Sequence, residues 1–219
     1  MNGAEYIAEF LSKIGSKKVF VVTGGACAFI IDAIAQNQEV DYYPFQHEQA
    51  AAMAADSLWK IDKTIGVTVV TSGPGATNLI TGIACSYFDS IPTIHITGQV
   101  NQIEKEIYQG ASVRQAGFQE TNIVDMVKPI TKYAVQVTSV EELKIELAKA
   151  YEIALSGRMG PVLIDVPMDV QQADAGDTIF INEPKLNLID ADHKGSIQDA
   201  IQNFFKDSQR PLVLFGAGV

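Results

Sequence analysis

The sequence predicts an α/β fold: a doubly wound, mainly parallel six-stranded sheet with helices on both faces, followed by the start of a second α/β domain. Two observations carry this prediction. Apolar runs alternate with helical patterns along the first 170 residues, and the runs are continuous, as in strands buried on both faces. We therefore predict a first domain over residues 1–170, a linker over 171–192 and the beginning of a second domain over 193–219.

Composition narrows the function classes. Of the 219 residues 47% are hydrophobic, which is ample for a packed core. A net charge of −10 argues against nucleic acid and against an anionic membrane surface, because either partner requires a concentrated basic face. Cys27 and Cys85 lie in apolar helical patterns, so we expect no disulfide. We see neither a signal peptide nor an apolar run of about 18 residues, and expect a cytoplasmic protein.

The first two strand and helix units follow an amphipathic first helix that ends at Gly15. The apolar run Val19–Val22 predicts a buried strand, and a second helix is expected over about 26–35. The segment Val40–Phe45 predicts a short buried strand. The alanine-rich run after Gln49 then predicts a helix, because alanine has the highest helix propensity.

The third and fourth units surround a glycine-rich turn. A strand is predicted over Gly66–Thr71, the turn over Ser72–Asn78 and a helix over Leu79–Phe88. Pro92–Gly98 predicts a fourth buried strand, and its central His95 is interpreted as a hydrogen-bonded core residue.

The remaining units of the first domain follow a polar, aperiodic stretch over Asn101–Gln115, for which we expect a mobile surface segment. A fifth strand is predicted over Tyr133–Val137. Ser139 and Glu142 form a capping box that opens a helix ending at Leu155. Gly160–Pro167 predicts the sixth strand.

The predicted linker is polar and aperiodic, and a new unit follows it. Apolar residues at helical spacing between Ile197 and Phe205 predict a helix. Pro211–Gly218 predicts a strand that ends in a glycine turn.

Glu48 is the first candidate functional residue, because it falls at a strand-to-helix junction of a parallel sheet, where ligands bind. A structural explanation competes with this one: an acid at a helix N-terminus contributes up to about 1 kcal/mol through the helix dipole. The Ser72–Asn78 turn is the second candidate, since its glycines bring the backbone close to a ligand. It matches neither the dinucleotide-binding fingerprint nor a P-loop.

Seven motifs occur in order, and together they closely resemble the thiamin diphosphate enzymes of the acetolactate synthase family. The likeness covers nearly all of residues 1–170, which correspond to the pyrimidine-binding domain of that family. The motifs are Gly24-Gly25-Ala26, His47-Glu48-Gln49, Thr71-Ser72-Gly73-Pro74-Gly75-Ala76-Thr77-Asn78, Asp89-Ser90-Ile91-Pro92, Thr97-Gly98-Gln99-Val100, Phe118-Gln119-Glu120-Thr121 and Gly160-Pro161-Val162.

The resemblance implies a role for each of these site residues. Glu48 is the catalytic acid that hydrogen-bonds the N1′ nitrogen of the cofactor's aminopyrimidine, which requires burial to keep it protonated near neutral pH. Gln99, Phe118 and Gln119 line the substrate side. The cofactor-binding residues besides Glu48 are Gly24, Gly25, Ala26, Ser72, Gly73, Pro74, Gly75 and Asn78.

The resemblance also implies a reaction and partners. A 2-keto acid such as pyruvate is decarboxylated, and its two-carbon unit is transferred to a second carbonyl compound, a step of branched-chain amino acid biosynthesis. The site forms between subunits of a homodimer or tetramer. Magnesium and the diphosphate are held by a C-terminal domain that this chain lacks, so we expect the fragment alone to be inactive and to contain no metal site. Flavin adenine dinucleotide (FAD) is allowed by the family pattern.

Departures from the family pattern keep other activities open. The stretch Asn101–Gly117 is longer than usual and carries Glu104 and Glu106, and Cys27 stands where serine is common. A 2-keto acid decarboxylase, a hydrolase of cyclic diketones and an enzyme transferring an acetyl unit to a sugar are therefore alternatives. A non-catalytic domain that binds cofactor or partner is an alternative of another class, against which the presence of Glu48 counts. An NAD-binding module is disfavoured because its glycine fingerprint is missing.

Overall fold

The computed structural model describes residues 1–102, 113–182, 191–214 and 216. Helices and strands alternate through the first domain, as predicted. Their bounds are α1 Gly3–Lys13, β1 Lys18–Val21, α2 Ala28–Gln36, β2 Asp41–Pro44, α3 Glu48–Asp62, β3 Gly66–Val70, α4 Pro74–Asn78, α5 Ile80–Phe88, β4 Thr93–Gln99, α6 Ile123–Val127, β5 Tyr133–Gln136, α7 Val140–Leu155, β6 Val162–Pro167, α8 Met168–Gln172 and α9 Ala191–Phe205, with 3₁₀ turns at Gly25–Cys27 and Lys128–Ile130.

The six strands form one sheet in the order β2-β1-β3-β4-β6-β5, and every pair is parallel. This confirms the predicted fold class. Strand β1 lies between β2 and β3, so the chain leaves β1 in one direction and later returns to its other side. The connections that follow β1 and β3 therefore leave the sheet in opposite directions. Open α/β sheets have their ligand crevice at such a switch point.

The sheet is covered on both faces, because successive strand residues point to opposite sides. Val67 and Val69 face a large apolar cluster formed with α1, α2 and α7. Val70 and Leu163 face a smaller cluster that includes Ile83 of α5. Two apolar clusters on opposite faces confirm the doubly wound arrangement.

His95 is a hydrogen-bonded core residue, as predicted. It is fully buried, and its Nδ1 and Nε2 atoms lie 2.8 and 2.9 Å from the hydroxyl oxygens of Thr68 and Thr93. Burial lowers the pKa of His95 to about 3, since the charged imidazolium would lose its hydration. The ring is therefore neutral in the folded protein throughout the physiological range.

Side chains cap both ends of helix α7. The Ser139 hydroxyl accepts a hydrogen bond from Glu142 N, as the predicted capping box requires. The Glu142 carboxylate differs from that motif, because it accepts from Thr138 N rather than from the cap residue. At the other end, Lys132 Nζ donates to the carbonyls of Ile153 and Ser156, which places a cation at the negative end of the helix.

Three predictions of secondary structure were wrong in part. The predicted buried strand Val40–Phe45 is the exposed edge strand β2, because it pairs with β1 alone. The turn predicted over Ser72–Asn78 contains a short helix, α4, which begins at Pro74, whereas the helix predicted over Leu79–Phe88 is confirmed as α5. The strand predicted over Pro211–Gly218 is not formed at its described residues 211–214 and 216.

The polar segments lie partly outside the described residues. Of the stretch Asn101–Gln115, residues 103–112 are not described, so its predicted mobility stays a prediction. The predicted linker begins at Gln171, which is fully buried, and Ala175 is also buried against the first domain. Both cysteines are free thiols. In the described part of the chain, no helix has the length and apolar character needed to cross a membrane.

Candidate active site

The turns that follow β1 and β3 meet at the carboxyl ends of these strands, and Thr71 joins them. Ala26 N donates a hydrogen bond of 3.2 Å to Thr71 Oγ1. A Cβ atom on Gly24 would lie 2.5 Å from the Thr71 side chain, so that only glycine allows this approach. The Gly24–Ala26 turn is therefore fixed against the residue that ends strand β3.

A cavity of about 440 Å³ opens above these turns. It brings together six of the residues predicted from the sequence: Gly24, Gly25, Ala26, Ser72, Phe118 and Gln119. The other residues that line it are Thr23, Thr71, Val100 and Met168. A Cβ atom on Gly25 would meet nothing within 4 Å, so this glycine leaves space towards the cavity.

Glu48 is the first residue of α3 and is buried, with 9% of its surface exposed. Its neighbour His47 caps the helix by accepting a hydrogen bond from Gln49 N. Glu48 Oε2 accepts a hydrogen bond of 2.9 Å from Asn78 Nδ2. Among the described residues we find no donor to the other oxygen, Oε1, which lies 3.5 Å from the position a Cβ atom of Gly75 would occupy. This geometry leaves one carboxyl oxygen available to a ligand.

Thr71 lies between the cavity and the cluster formed by Glu48, Asn78 and Gly75, which we call the Glu48 cluster. A Cβ atom on Gly75 would lie 2.7 Å from Thr71 Cγ2, so Thr71 contacts this turn as well as the Gly24–Ala26 turn. The sequence-based site did not include Thr71, although its place at the end of a strand beside a glycine turn is a usable indication. Met168 was also missed, since nothing local distinguishes it from a core residue, and Val100 stood in a quoted motif without being named as a site residue.

Cys27 lies beside this cluster and is chemically inactive near neutral pH. Its Sγ atom is 3.4 Å from Gly24 O. Burial raises the pKa of the thiol to about 11. The thiol is therefore protonated and behaves as a small apolar side chain at this position.

Gln99 does not line the cavity, in contrast to the expectation from the resemblance. Only 1% of its surface is exposed, and its Nε2 donates to Thr121 O and to Asp165 Oδ2, at 3.0 Å each. Phe118, by contrast, is 81% exposed at the cavity. The inward direction of Gln99 follows from the buried carboxylate of Asp165, which attracts the amide donor.

Gln119 has a left-handed backbone with a φ of 58°, which non-glycine residues adopt at a cost. Its backbone packs on Gly73, where an added Cβ atom would lie 2.7 Å from Gln119 O. Gly73 has a φ of 63°, so it is a glycine for conformational as well as steric reasons. Pro74, the first residue of α4, is exposed and follows this contact.

The site combines close packing of glycine turns with a buried acid. Glycines at three positions allow close approach of the backbone, and a buried acid offers one oxygen to a hydrogen-bonding partner. These residues fit the pyrimidine end of thiamin diphosphate. Over the described residues, we find no group of three or more His, Cys, Asp or Glu side chains arranged as metal ligands.

The fold and site together define a parallel α/β domain with a glycine-lined cavity at its switch point, the place where such folds bind small ligands. Comparison with known proteins identifies the cofactor class. Residues 1–126 match the family described as "Thiamine pyrophosphate enzyme, N-terminal TPP binding domain", and the chain belongs to this family. Thiamine pyrophosphate is another name for thiamin diphosphate, so the family resemblance inferred from the motifs is confirmed.

Curated relatives are similar along the whole chain. The acetolactate synthase large subunit of Corynebacterium glutamicum is 34% identical over 100% of this chain and 34% of its own length. The isozyme 3 large subunit of Escherichia coli is 36% identical, over 100% of this chain and 37% of its own. A probable acetolactate synthase large subunit of Methanocaldococcus jannaschii is 38% identical, over 100% and 36%. The chain thus spans about a third of the length of these relatives.

Proposed function

We propose that this chain is the N-terminal, pyrimidine-binding part of an enzyme that decarboxylates a 2-keto acid such as pyruvate and transfers the two-carbon unit to a second carbonyl compound. The position of Glu48 carries the proposal, because a buried acid with one free oxygen stands among the glycine turns. The similarity to acetolactate synthase large subunits supports the choice of reaction.

Thiamin diphosphate, when bound, supplies a nucleophilic carbon and an electron sink for decarboxylation. The chain supplies the acid and its placement. Asn78 donates a hydrogen bond to Oε2 of Glu48, which fixes the carboxyl group and leaves Oε1 beside Gly75. Glu48 holds or moves a proton at Oε1 in this arrangement, while Gly24, Gly25 and Ala26 set the floor of the cavity.

The assembly is proposed on the same basis. Tyr42 and Tyr43 of the edge strand β2 are 46% and 40% exposed, and a second subunit would cover them. We propose a homodimer or tetramer with the site between subunits. Magnesium and the diphosphate would be bound by residues outside this chain. We place the enzyme in the cytoplasm. FAD is a further cofactor that the family pattern allows in the full-length protein.

The test uses the full-length protein that carries this chain, assayed for acetolactate formation from pyruvate with thiamin diphosphate and magnesium. Glu48→Gln removes the proton but keeps the shape, and we expect turnover to fall by about a hundred- to ten-thousand-fold. Glu141→Gln is the matched control, since Glu141 also stands in the first turn of a helix but far along the chain at α7. If Glu48 only stabilises a helix, both variants will retain turnover.

The products distinguish the related reactions. Acetolactate from the wild type, with near loss in Glu48→Gln, supports both the synthase reaction and the role of the acid. Carbon dioxide without acetolactate would favour a decarboxylase or another acceptor. Full activity of Glu48→Gln would contradict the assignment of the catalytic acid.

A further inference from the structure

We propose that Gln99 is a positioning residue that ties the loop Phe118–Thr121 to the sheet and thereby sets how the cavity accepts its carbonyl substrate. The expected effect on the substrate rests on the proposed function, whereas the hydrogen bond between Gln99 and the loop is a property of this chain. Gln99 is the last residue of β4, while the loop lies about 20 residues further along and reaches the cavity through Phe118 and Gln119.

Every polar atom of the Gln99 side chain is engaged. Nε2 donates to Thr121 O and to Asp165 Oδ2, and Oε1 accepts from Val100 N, each at 3.0 Å. A carbonyl and a carboxylate can only accept, so they fix which end of the amide is the donor. The side chain is therefore held in one orientation, with the loop carbonyl on one side and the sheet on the other.

Asp165 is the anchor of this arrangement. It is 1% exposed and belongs to β6. Its Oδ1 accepts a hydrogen bond of 2.6 Å from Thr97 Oγ1, and its Oδ2 also accepts one of 2.7 Å from Gln136 Nε2. Donors from β4 and β5 thus hold the carboxylate of the strand between them. Breaking the hydrogen bond from Gln99 would leave the buried carboxylate with one donor fewer, which costs free energy.

The loop requires such a tie because part of it is held in an unfavourable conformation. Gln119 has the left-handed backbone and packs on Gly73, two residues before the carbonyl that Gln99 holds. Backbone conformations of this kind persist only where surrounding contacts maintain them. The hydrogen bond to Thr121 O is placed to maintain this one, and with it the position of the exposed Phe118 ring at the cavity.

The tie is separate from the catalytic acid. Glu48 and Asn78 are carried by α3 and α4, whereas Gln99 acts on the loop from β4. Loss of Gln99 should therefore change the substrate side of the cavity while the cofactor side is retained. This separation gives the proposal a signature that general destabilisation would not produce.

The first experiment measures loop opening without any activity. Gln99→Met keeps the length of the side chain and removes both donated hydrogen bonds. Gln102→Met is the matched control, because Gln102 Nε2 also donates to a carbonyl, Thr138 O, and to a carboxylate, Asp169 Oδ2, at 2.9 and 3.0 Å. In the full-length protein, chymotrypsin should cut after Phe118 about tenfold faster in Gln99→Met than in the wild type or the control, as expected for about 1.4 kcal/mol of lost restraint.

The second experiment measures the consequence for substrate. In Gln99→Met we expect KM for pyruvate to rise about tenfold, while the thiamin diphosphate concentration for half-maximal activity stays within about twofold. Gln136→Met removes another donor to Asp165 without touching the loop, and its KM should stay close to that of the wild type. Asp165→Asn weakens the anchor at constant volume and should raise KM in the same direction as Gln99→Met.

The outcomes separate the two proposals. Absence of acetolactate from the wild type would refute the proposed function, and the cleavage rates would still decide whether Gln99 holds the loop. Unchanged cleavage in Gln99→Met would overturn the tie. An equal KM change in Gln136→Met, or a parallel loss of cofactor affinity, would show that a general loosening of the sheet is responsible. If Gln99→Met does not fold, unchanged cleavage and KM in Asp165→Asn would refute the proposal.

Discussion

The buried imidazole of His95 should make the stability of this chain depend on pH in a way that one substitution removes. Folding lowers its pKa from 6.5 to about 3, so the folded protein excludes a proton that the unfolded chain binds. Stability from this group is complete above pH 6.5, because the ring is then neutral in both states. It is lost progressively as the pH falls from 6.5 towards 3.

The magnitude follows from the shift. pH 5 lies about 1.5 units below the pKa of His95 in the unfolded chain. Protonation there stabilises the unfolded chain by about 2 kcal/mol, at about 1.4 kcal/mol per unit, whereas His95 in the folded protein stays neutral. Urea denaturation of wild type and His95→Gln at pH 7 and pH 5 measures this quantity. Carboxylates contribute equally to both proteins, so the wild type should lose about 2 kcal/mol more than the variant between the two pH values.

A second variant separates titration from hydrogen bonding. Thr93→Val removes the partner of Nε2, leaves the buried imidazole in place, and should lower stability at both pH values by about 1 kcal/mol or more. Its loss between pH 7 and pH 5 should match that of the wild type. Equal losses of stability in His95→Gln and the wild type on acidification would show that the buried His95 does not exclude a proton at pH 5.

Three further substitutions test the backbone of the site and the end of a helix. Gly25→Ala should unfold at the wild-type temperature, because the added Cβ atom contacts no other atom. It should weaken thiamin diphosphate binding, because the methyl group occupies space in the cavity. Gly24→Ala places a Cβ atom 2.5 Å from Thr71 and should therefore unfold at a lower temperature. Lys132→Met should lower the free energy of unfolding by about 1 kcal/mol, measured with urea, because the last carbonyls of α7 lose their donor. A Gly25→Ala protein that unfolds as early as Gly24→Ala, or an unchanged free energy in Lys132→Met, would contradict these arguments.

The elements of the first domain were largely predictable from the sequence because they are encoded locally. Continuous apolar runs identified the strands around Val69 and Ile164, and the Ser139 cap marked the start of α7. Glycine turns after strands indicated the binding edge, because strand ends in a parallel sheet meet at one side. The strand-to-helix junction identified Glu48 as a site candidate, and the family resemblance added Gly25. In the structure Glu48 lies beside Gly75 and Gly25 lines the cavity.

Other features depended on neighbours that are distant in sequence. The strand ending at Pro44 was predicted to be buried, but it lies at the sheet edge because the chain returns to the other side of β1.

The direction of side chains at the site also required the tertiary structure. Gln99 stands in a motif that suggests a substrate contact, but the carboxylate of Asp165, 66 residues away, draws its amide into the sheet. Thr71 became part of the site because two separate turns converge on its side chain. The sequence by itself determined which segments form strands, helices and turns, because periodicity and turn chemistry are local. Which polar groups meet was decided only by strand order and register, because hydrogen bonds join whichever donors and acceptors the fold brings within about 3 Å of each other.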